Sequence, residues 1–481
     1  MNRGKDLVET RSWSSESEII ATLTDEAFTR AAGASRVEGN RVRLLKDSTE
    51  NYPAWISAIE SARQWIHFET YILRDDAIGR QFADLLSAKA RQGVKVRLIY
   101  DWIGSLGYIS RRFWRRMIQS GVEVRRYNTP SLANPLSWIN RDHRKMTSVD
   151  GRVAFITGLC VGQRWIGDPA HGIEPWRDTG LEIEGPALAE IERAFNDSWA
   201  SAGSPVPDDE LLKRKLIPPA GDVAVRIIAS VPHVGGMYRL DQLIATLARK
   251  SIWLADAYFV GTTSYVQALC AAARSGVDVR LLLPGANDIR VMRAVARAGL
   301  RPLLEAGVRV FEWNGSMMHA KTAVIDGRWA RVGSTNLNLT SWMNNRELDV
   351  LIENEPFARQ MEDAYTDDLS RSTEIVLQKH RPRPVMPQIK PNRRKKRMEP
   401  STAGRTAAGV MRLGHVVGAA ITYRRELGPA EAVIIFWAVG ILLVIAGIAA
   451  YWPRAVAFPV AFVCVWVSLS MLSRALNLRI K

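Results

Sequence analysis

The sequence predicts an α/β protein made of two similar half-domains that form a pseudo-twofold pair, followed by a hairpin of two transmembrane helices. Three observations support this prediction. The pattern His-x-Lys-x4-Asp occurs twice, with its copies 176 residues apart (319 − 143). Each copy lies among apolar strand patterns that alternate with helical ones, which is typical of an α/β half-domain with a buried sheet. Near the C-terminus, two long stretches carry no charge.

The length and charge of the chain limit the classes of protein to consider. Its 481 residues can hold two core-forming halves and further segments. Lys and Arg (65) outnumber Asp and Glu (49), so the formal net charge is +16, which favours anionic partners such as nucleic acid or an acidic membrane. The three Cys residues are scattered. They indicate neither a disulfide framework nor a zinc site, in agreement with a reducing compartment.

We predict seven segments along the chain. The first is polar and mixed in charge, so we expect no signal peptide there. In chain order the segments are a polar N-terminal segment (1–34), the first half (35–203), a Pro-containing linker (204–222), the second half (223–378), a basic linker with a candidate interfacial helix (379–431), the transmembrane hairpin (432–472) and a basic tail (473–481).

The two halves repeat the same order of elements. Residues 90–100 align with residues 273–283, and both stretches predict a helix end, a Gly and a buried strand. Upstream, residues 65–71 resemble residues 252–258. Two such halves predict a pseudo-twofold pair, with one His from each half meeting at the interface. The last helix of each half is expected at residues 190–200 and 356–369.

The repeated pattern contains the groups needed to open a phosphodiester. Residues two apart on a strand share a face, so His143 and Lys145 are expected to point into one cleft, as are His319 and Lys321. Lys provides a point charge for phosphate oxygens. One imidazole can attack phosphorus and the other can exchange protons with the departing and incoming alcohols. This chemistry needs no metal or other cofactor. The alternative, that each His is a satisfied core residue, is weakened by the second copy.

Asp150 and Asp326 complete the two copies and are candidate members of the catalytic set. Each ends a strand-like stretch and is followed by Gly, and Asp-Gly is a hairpin-turn signal. We therefore expect both to act as turn and supporting residues more than as primary acids.

The doubled pattern is the signature of the phospholipase D superfamily, and the chain resembles its bacterial cardiolipin synthase branch. The resemblance rests further on Asn-Arg-Asp-His-Arg-Lys at 140–145, on Trp-Arg-Asp-Thr-Gly-Leu-Glu-Ile-Glu-Gly-Pro at 176–186 and on Met-His-Ala-Lys-Thr at 318–322, and it covers about residues 40–370. It implies a membrane-bound phosphatidyltransferase that joins two phosphatidylglycerol molecules without a metal and releases glycerol.

The resemblance also implies roles for single residues. It makes His143 the nucleophile and His319 the general acid, whereas the residues alone leave these two roles interchangeable. It places one further carboxylate after each motif to orient the imidazoles, which corresponds here to Asp178 and Glu347. A carboxylate on the far ring nitrogen fixes the tautomer of a His. From the residues alone, a surface salt-bridge role for both carboxylates stays open.

One position departs from the family pattern. The second motif continues with Gly-Ser-Thr-Asn, in which Ser334 and Asn336 are candidate phosphate-binding residues. The first motif has Cys160 where the family usually has Asn. A thiol is a weak donor, so we expect the two sides of the site to differ. A redox role for Cys160 is disfavoured, because most Cys residues act as small core residues.

The C-terminal stretches favour a membrane. Residues 432–451 are 20 uncharged residues, enough to span a bilayer as a helix, and residues 455–472 add 18 more, interrupted by Pro459. Basic residues flank the pair and only Arg454 lies in the turn, so the positive-inside rule predicts both termini and the catalytic body on the cytoplasmic side of the cell (inner) membrane. A buried soluble hairpin is the alternative. The basic run at 393–397 is expected to attract anionic lipid.

Other functions remain as alternatives. A phospholipase D that hydrolyses phospholipids differs only in its acceptor, which depends on water exclusion and pocket shape. A nuclease or phosphodiesterase with the same motif pair is a second alternative, but the chain has no aromatic-interleaved nucleic-acid module, and we expect no nucleic-acid partner. A catalytically inactive lipid-binding scaffold is disfavoured by the intact His and Lys in both halves. The sequence leaves the oligomeric state open.

Overall fold

The computed structural model describes residues 16–129, 139–286, 288, 296–297 and 299–377, with scattered residues between 440 and 468. The chain divides into two units, of which the first holds Met1–Ile375 and Trp466–Lys481 and the second holds Val376–Val465. The α/β fold and both predicted halves, apart from residues 376–378, lie in the first unit.

Fifteen strands of the described chain form one continuous sheet. The strands of the first half are β1 (Val37–Lys46), β2 (Trp65–Thr70), β3 (Lys95–Asp101), β4 (Glu123–Tyr127), β5 (Met146–Val149), β6 (Val153–Thr157) and β7 (Thr179–Glu184). The strands of the second half are β8 (Val223–Ser230), β9 (Ser251–Ala255), β10 (Asp278–Pro284), β11 (Arg309–Trp313), β12 (Thr322–Ile325), β13 (Trp329–Gly333), β14 (Glu347–Glu353) and β15 (Ser372–Ile375).

The strand order confirms the predicted repeat. Counted outward from the centre of the sheet, the first half reads β1-β7-β6-β5-β2-β3-β4 and the second reads β8-β14-β13-β12-β9-β10-β11, with β15 added at the far edge. The halves are joined by an antiparallel pair, β1 with β8, in which Val37 faces Val225. In each half the inner strands are antiparallel, whereas β2, β3 and β4, like β9, β10 and β11, are parallel.

Helices cover the sheet and begin and end where the local sequence requires. They are α1 (Glu16–Ala32), α2 (Asp47–Glu60), α3 (Ala77–Arg91), α4 (Arg111–Gln119), α5 (Gln163–Ile166), α6 (Leu188–Ser201), α7 (Gly236–Leu247), α8 (Thr263–Arg274), α9 (Arg301–Glu305), α10 (Leu339–Met343) and α11 (Glu355–Ser370). Asp76 and Thr262 cap α3 and α8, and the chain leaves these helices through Gly93 and Gly276, which have positive φ. The predicted closing helices are confirmed as α6 and α11.

The first helix is an element that the sequence reading missed. The prediction for residues 1–34 was a polar segment without assigned structure. In the structure, α1 packs on the second half, where Phe28 is buried in the core. Asp25 forms an ion pair with the buried guanidinium of Arg226 in β8. The apolar and polar residues of α1 are mixed along the helix and give a weak amphipathic signal, so its packing was not apparent from the sequence.

The two halves share one hydrophobic core at their junction. Ile183 and Phe195 of the first half belong to the same buried cluster as Val225, Leu348 and Phe357 of the second. Each half also has its own cluster farther from the centre. Because the junction is a packed core and a continuous sheet, the halves are held in one arrangement, and loops from both can build a common site.

The predicted C-terminal elements fall mainly outside the described residues. This applies to the basic linker (379–431), to most of the transmembrane hairpin (432–472) and to the basic tail (473–481). In the part of the chain that is described, no helix combines the length and the apolar character needed to cross a bilayer. The transmembrane hairpin therefore stays a prediction.

Candidate active site

Both His-Lys pairs lie at the same end of the sheet. His143 and Lys145 immediately precede β5, whose first residue, Met146, faces Glu69 near the end of β2. In the second half, β12 begins with Thr322, which faces Ala255 at the end of β9. The pairs thus lie where the parallel strands finish, the usual position for ligands in α/β sheets. The sequence predicted that both pairs lie within strands. In the structure they lie just before the first residues of β5 and β12.

Each imidazole is held by a carboxylate of the opposite half. Nδ1 of His143 lies 2.8 Å from Oε2 of Glu347, and Nδ1 of His319 lies 2.7 Å from Oδ2 of Asp178. The carboxylates of Glu347 and Asp178 are fully buried, so the surface salt-bridge alternative is wrong. The sequence left open which carboxylate orients which imidazole, and the structure pairs each His with the carboxylate of the other half.

The main chain reinforces this exchange between halves. The N–H of His143 donates to the carbonyl of Arg346 (2.9 Å), and the N–H of His319 donates to the carbonyl of Arg177 (2.7 Å). Arg346 and Arg177 are the residues immediately before the two orienting carboxylates. Each His segment is therefore joined to the carboxylate segment of the other half by both main-chain and side-chain hydrogen bonds.

The two lysines are buried beside the imidazoles. The ammonium groups of Lys145 and Lys321 donate to the carbonyl groups of His143 and His319, respectively. Burial lowers the pKa of Lys321 to about 8, with the attraction of Asp178 acting in the opposite direction. A site with two such cations favours an anionic group such as a phosphodiester.

The electrostatic surroundings keep both imidazoles neutral at neutral pH. Burial lowers the pKa of His143, although Glu347 opposes the change. Burial and the charge of Lys321 lower the pKa of His319 to about 4, against the attraction of Asp178. Although burial acts to raise them, the pKa values of Asp178 and Glu347 are lowered by their paired histidines. This charge distribution favours the tautomer with hydrogen on Nδ1, which leaves the Nε2 lone pair for nucleophilic or base chemistry.

Aromatic rings surround the two histidines. The ring of Tyr71 lies 4.8 Å from that of His143, and the ring of Trp176 lies 5.4 Å from that of His319. Tyr258 also faces His319, at 6.1 Å. Tyr71 and Tyr258 occupy matching places in the aligned stretches 65–71 and 252–258, so the repeat contained a signal for them that was not used. These rings limit the access of water to the imidazoles.

Asp150 and Asp326 lie away from this site. The four residues of β5 separate Asp150 from the His143 segment, and those of β12 do the same for Asp326. Both have positive φ in the predicted Asp-Gly turns, which are confirmed. Each carboxylate accepts three main-chain N–H groups, from residues 63–65 and 249–251 respectively. The structure therefore does not bring these two residues to the imidazoles, and it places them as turn anchors.

Ser334 forms a hydrogen bond with Glu347. Its hydroxyl donates to Oε2 of Glu347 (2.6 Å) and accepts the N–H of Leu348 (2.9 Å). This arrangement assigns Ser334 to orienting the carboxylate, whereas the sequence suggested a phosphate contact. Asn336 is buried, and its Oδ1 has no hydrogen-bond partner within the described residues. A contact with phosphate would have to come from its Nδ2–H group, and it stays a prediction.

The first half differs at the matching positions. Gly158 stands 15 residues after His143, as Ser334 stands 15 after His319, and a Cβ atom on Gly158 would lie 2.1 Å from Oδ1 of Asp178. The thiol of Cys160 is buried, and burial raises its pKa, so it stays protonated. The two sides of the site therefore differ, as predicted. Asp178, the shorter carboxylate, lies against Gly158, whereas Glu347, the longer one, accepts a hydrogen bond from Ser334.

A buried acid pair next to His143 was not identified from the sequence. Burial raises the pKa of Asp142, and the nearby carboxylate of Glu69 raises it further, against the attraction of Arg144. Burial likewise raises the pKa of Glu69. Burial and the mutual repulsion of the two carboxylates thus both disfavour full ionisation of the pair. In the second half, Met318 and Ala320 occupy the positions of Asp142 and Arg144.

Comparison with known proteins places this geometry in a family. The family model described as "Cardiolipin synthase, PLD-like domain" matches residues 55–199 and 242–369. The chain is 33% identical over 349 residues to a cardiolipin synthase of Alkalihalophilus pseudofirmus, covering 72% of this chain and 69% of the relative. It is 32% identical over 364 residues to cardiolipin synthase A of Pseudomonas aeruginosa, covering 74% of this chain and 72% of the relative.

A solved structure supports the fold. Phosphatidylserine synthase of Haemophilus influenzae superimposes with a TM-score of 0.58 at 14% identity, covering 73% of this chain and 92% of the other. At that identity the likeness concerns the fold alone. The family match contains both His-Lys pairs and both orienting carboxylates. The chain with this crossed His-carboxylate site belongs to the cardiolipin synthase branch of the phospholipase D superfamily.

Proposed function

We propose that this protein is a cardiolipin synthase that joins two phosphatidylglycerol molecules and releases glycerol through a phosphatidyl-His intermediate. The observation that carries this proposal is the pair of buried neutral imidazoles, each oriented through Nδ1 by a carboxylate of the opposite half and each accompanied by a buried Lys. The names of the relatives agree with the proposal.

In the first step, Nε2 of His143 attacks the phosphorus of one phosphatidylglycerol. The new P–N bond forms as the P–O bond to the terminal glycerol breaks, and His319 in its protonated form gives a proton to the departing alkoxide. Lys145 and Lys321 stabilise the charge on the non-bridging oxygens. The phosphate anion also raises the pKa of His319 from its low value in the empty site, so the imidazole can carry that proton.

In the second step, the glycerol hydroxyl of another phosphatidylglycerol attacks phosphorus. His319, now neutral, accepts the hydroxyl proton, the P–O bond forms and the P–N bond to His143 breaks. Cardiolipin leaves, and the site returns to its starting protonation state. The choice of His143 as nucleophile follows the family resemblance. In this proposal, the amide of Asn336 contacts the phosphate on the His319 side.

The proposed setting is the inner membrane, with residues 432–472 as a transmembrane hairpin and the catalytic body on the cytoplasmic side. The uncharged stretches and their flanking basic residues support this part of the proposal. A reporter enzyme fused after Lys481 is expected to be active in the cytosol. Activity of that fusion only in the periplasm would contradict the orientation.

The decisive experiment is incubation of the purified full chain with phosphatidylglycerol alone, followed by separation of the lipids. Cardiolipin and an equal amount of glycerol are expected, and the activity is expected to persist in EDTA. Phosphatidic acid as the main product would replace the proposal with a hydrolase. No turnover of any phospholipid by a folded protein would contradict it altogether. His143→Ala is the control for contaminating enzymes.

A further inference from the structure

Loops at the active-site end of the sheet expose apolar side chains. In the loop between β3 and α4, Leu106 and Tyr108 are 55% and 44% exposed. Ile173, between α5 and β7, is 55% exposed, and Val260, after β9, is 37% exposed. Large apolar side chains that occur together on a surface commonly mark a contact with a partner or a membrane.

Each of these loops is attached to a residue that touches a catalytic His. The hydroxyl of Ser105, next to Leu106, lies 3.4 Å from the carbonyl oxygen of Tyr71, whose ring faces His143. Val260 follows two residues after Tyr258, which faces His319.

Ile173 lies in the loop that leads to Trp176, the other ring beside His319. The carbonyl of Ile173 accepts the N–H of Asp168, and Trp176 donates its N–H to the carbonyl of Trp165. The exposed apolar side chains therefore lie around the entrance to the site, on both the His143 side and the His319 side.

A strongly basic helix adjoins this apolar surface. Helix α4 begins directly after the loop that carries Leu106 and Tyr108, and it contains no acidic residue. Phe113 and Met117 bury one face of the helix in the core of the first half. The opposite face presents four exposed guanidinium groups, from Arg111, Arg112, Arg115 and Arg116. We call Leu106, Tyr108, Ile173, Val260 and helix α4 together the apolar–basic rim.

We propose that the apolar–basic rim docks the catalytic body on the surface of a bilayer that contains anionic lipid. The apolar side chains enter the boundary between headgroups and acyl chains, and the arginines of α4 contact lipid phosphates, as in interfacial protein segments. The inference deepens the proposed function, because the phosphodiester of a phosphatidylglycerol in a bilayer lies at headgroup level and must enter through this opening.

Charge favours this occupant over others. A second copy of the chain would bring two clusters of arginines together if the rim contacted itself. A nucleic acid would satisfy the arginines but would gain little from isolated aliphatic side chains such as Leu106 and Ile173. An anionic bilayer offers phosphates and an apolar interior within a few ångströms of each other, which matches both parts of the rim.

The test compares one reaction in two physical forms of the substrate. The full chain is assayed with vesicles of phosphatidylcholine and phosphatidylglycerol, and with short-chain phosphatidylglycerol below its critical micelle concentration. For Leu106→Ser/Ile173→Ser and for Arg111→Gln/Arg115→Gln, we expect kcat/KM on vesicles to fall about tenfold. With the monomeric substrate, we expect it to change less than about twofold, since the rim does not touch the imidazoles.

Matched controls come from the opposite end of the sheet. Leu216 and Leu247 are exposed apolar residues there, and Arg249 and Arg328 are exposed basic residues. Leu216→Ser/Leu247→Ser and Arg249→Gln/Arg328→Gln are expected to leave the vesicle reaction unchanged. Equal losses on both substrates in the rim variants would overturn the proposal, as would unchanged activity on vesicles.

A second measurement is independent of catalysis. An environment-sensitive fluorophore is attached at Leu106→Cys in a Cys464→Ser background, because Cys464 is the exposed Cys among the three of the chain, and Leu216→Cys serves as the reference site. A blue shift at position 106, only with vesicles that contain phosphatidylglycerol, supports docking. No shift refutes it. If the wild type turned over neither substrate, the proposed function would fail while this measurement would still decide about the rim.

Discussion

Glu347 in the second half lies 2.8 Å from the Nδ1 atom of His143 in the first half, and Asp178 makes the reciprocal contact to His319. Neither half therefore contains both members of a catalytic His-carboxylate pair. The catalytic tautomer of each imidazole depends on correct closure of the two halves, which the shared core and the β1–β8 pairing maintain.

Removal of either carboxylate charge should slow the chemical step. Glu347→Gln and Asp178→Asn keep the shape of the side chain but no longer stabilise Nδ1–H, so we expect kcat to fall about a hundredfold or more. Steady-state kinetics on purified protein measures the effect. Glu353→Gln, at the other end of β14, is the matched control and should retain wild-type kcat. Wild-type kcat in Glu347→Gln would contradict the orienting role.

The two histidines should behave as one catalytic unit. We expect His143→Ala and His319→Ala each to abolish transfer, and the double variant to be no worse than either, because the same cycle stops. With a labelled donor that has a good leaving group, His319→Ala should accumulate label on a peptide that contains His143, since departure of that group needs no proton. Label on His319 in the wild type would reverse the roles. No label on either His would indicate direct displacement.

The dependence of kcat/KM on pH should show two limbs. The neutral imidazole of His143 is the active nucleophile, and burial lowers its pKa, so activity should decrease only below the ordinary His range, where acid protonates His143. On the alkaline side, Lys321 loses its charge near its pKa of about 8, and phosphate binding should weaken above that pH. Lys321→Arg should move the alkaline limb upward. An alkaline limb unchanged in Lys321→Arg would show that another group causes it.

Different residues lie next to the two orienting carboxylates, Gly158 beside Asp178 and Ser334 beside Glu347. We therefore expect substitution of these two neighbours by Ala to have unequal effects. Ser334→Ala removes one hydrogen bond to Glu347 and should lower kcat about tenfold with little change in KM. Gly158→Ala places a methyl group against Asp178 and should cause the greater loss, because it displaces that carboxylate from His319. Gly299→Ala, at a position outside the site without a positive φ, where the added Cβ would meet only the carbonyl oxygen of Ala296 at 3.5 Å, controls for general effects of replacing Gly. A smaller loss in Gly158→Ala than in Ser334→Ala would contradict this account.

The turn aspartates should affect stability without a direct effect on chemistry. Asp150→Ala leaves three main-chain N–H groups without their acceptor and should lower the free energy of unfolding by about 1–3 kcal/mol. Asp326→Ala should behave in the same way. Thermal denaturation measures the loss, and kcat per folded molecule should remain near the wild-type value. A large loss of kcat in a folded variant would restore a catalytic role for these residues.

The sequence was sufficient for features that depend on local patterns. The two halves, the closing helices α6 and α11 and the Asp-Gly turns follow from periodicity and turn chemistry. The motif predicted the His-Lys pairs, and the family spacing identified Asp178 and Glu347. The sequence could not show which imidazole each of these carboxylates contacts. The spacings of 35 residues from His143 to Asp178 and of 28 residues from His319 to Glu347 do not show which imidazole each carboxylate contacts, because that contact depends on how two distant segments meet.

Other features were missed for related reasons. Ser334 was predicted to bind phosphate because small polar side chains commonly contact phosphate groups. The pairing of β13 with β14 instead places its hydroxyl beside Glu347. The apolar residues of helix α1, Phe28 among them, show only a weak helical periodicity. The buried carboxylates of Glu69 and Asp142 belong to residues 73 positions apart (142 − 69), and no local pattern reveals that they lie close enough to affect each other's pKa.

The reciprocal contacts of Glu347 and Asp178 form the pattern that an isologous dimer of a single half would generate by symmetry. In a true dimer, a mutation in one copy would appear in both, so the two imidazoles would have to remain chemically equal. Fusion into one polypeptide removes that restriction. Here the second copy has already diverged at the positions of Asp142, Arg144, Gly158 and Asp178. Two histidines of common design can therefore be tuned separately, one for attack at phosphorus and the other for proton exchange.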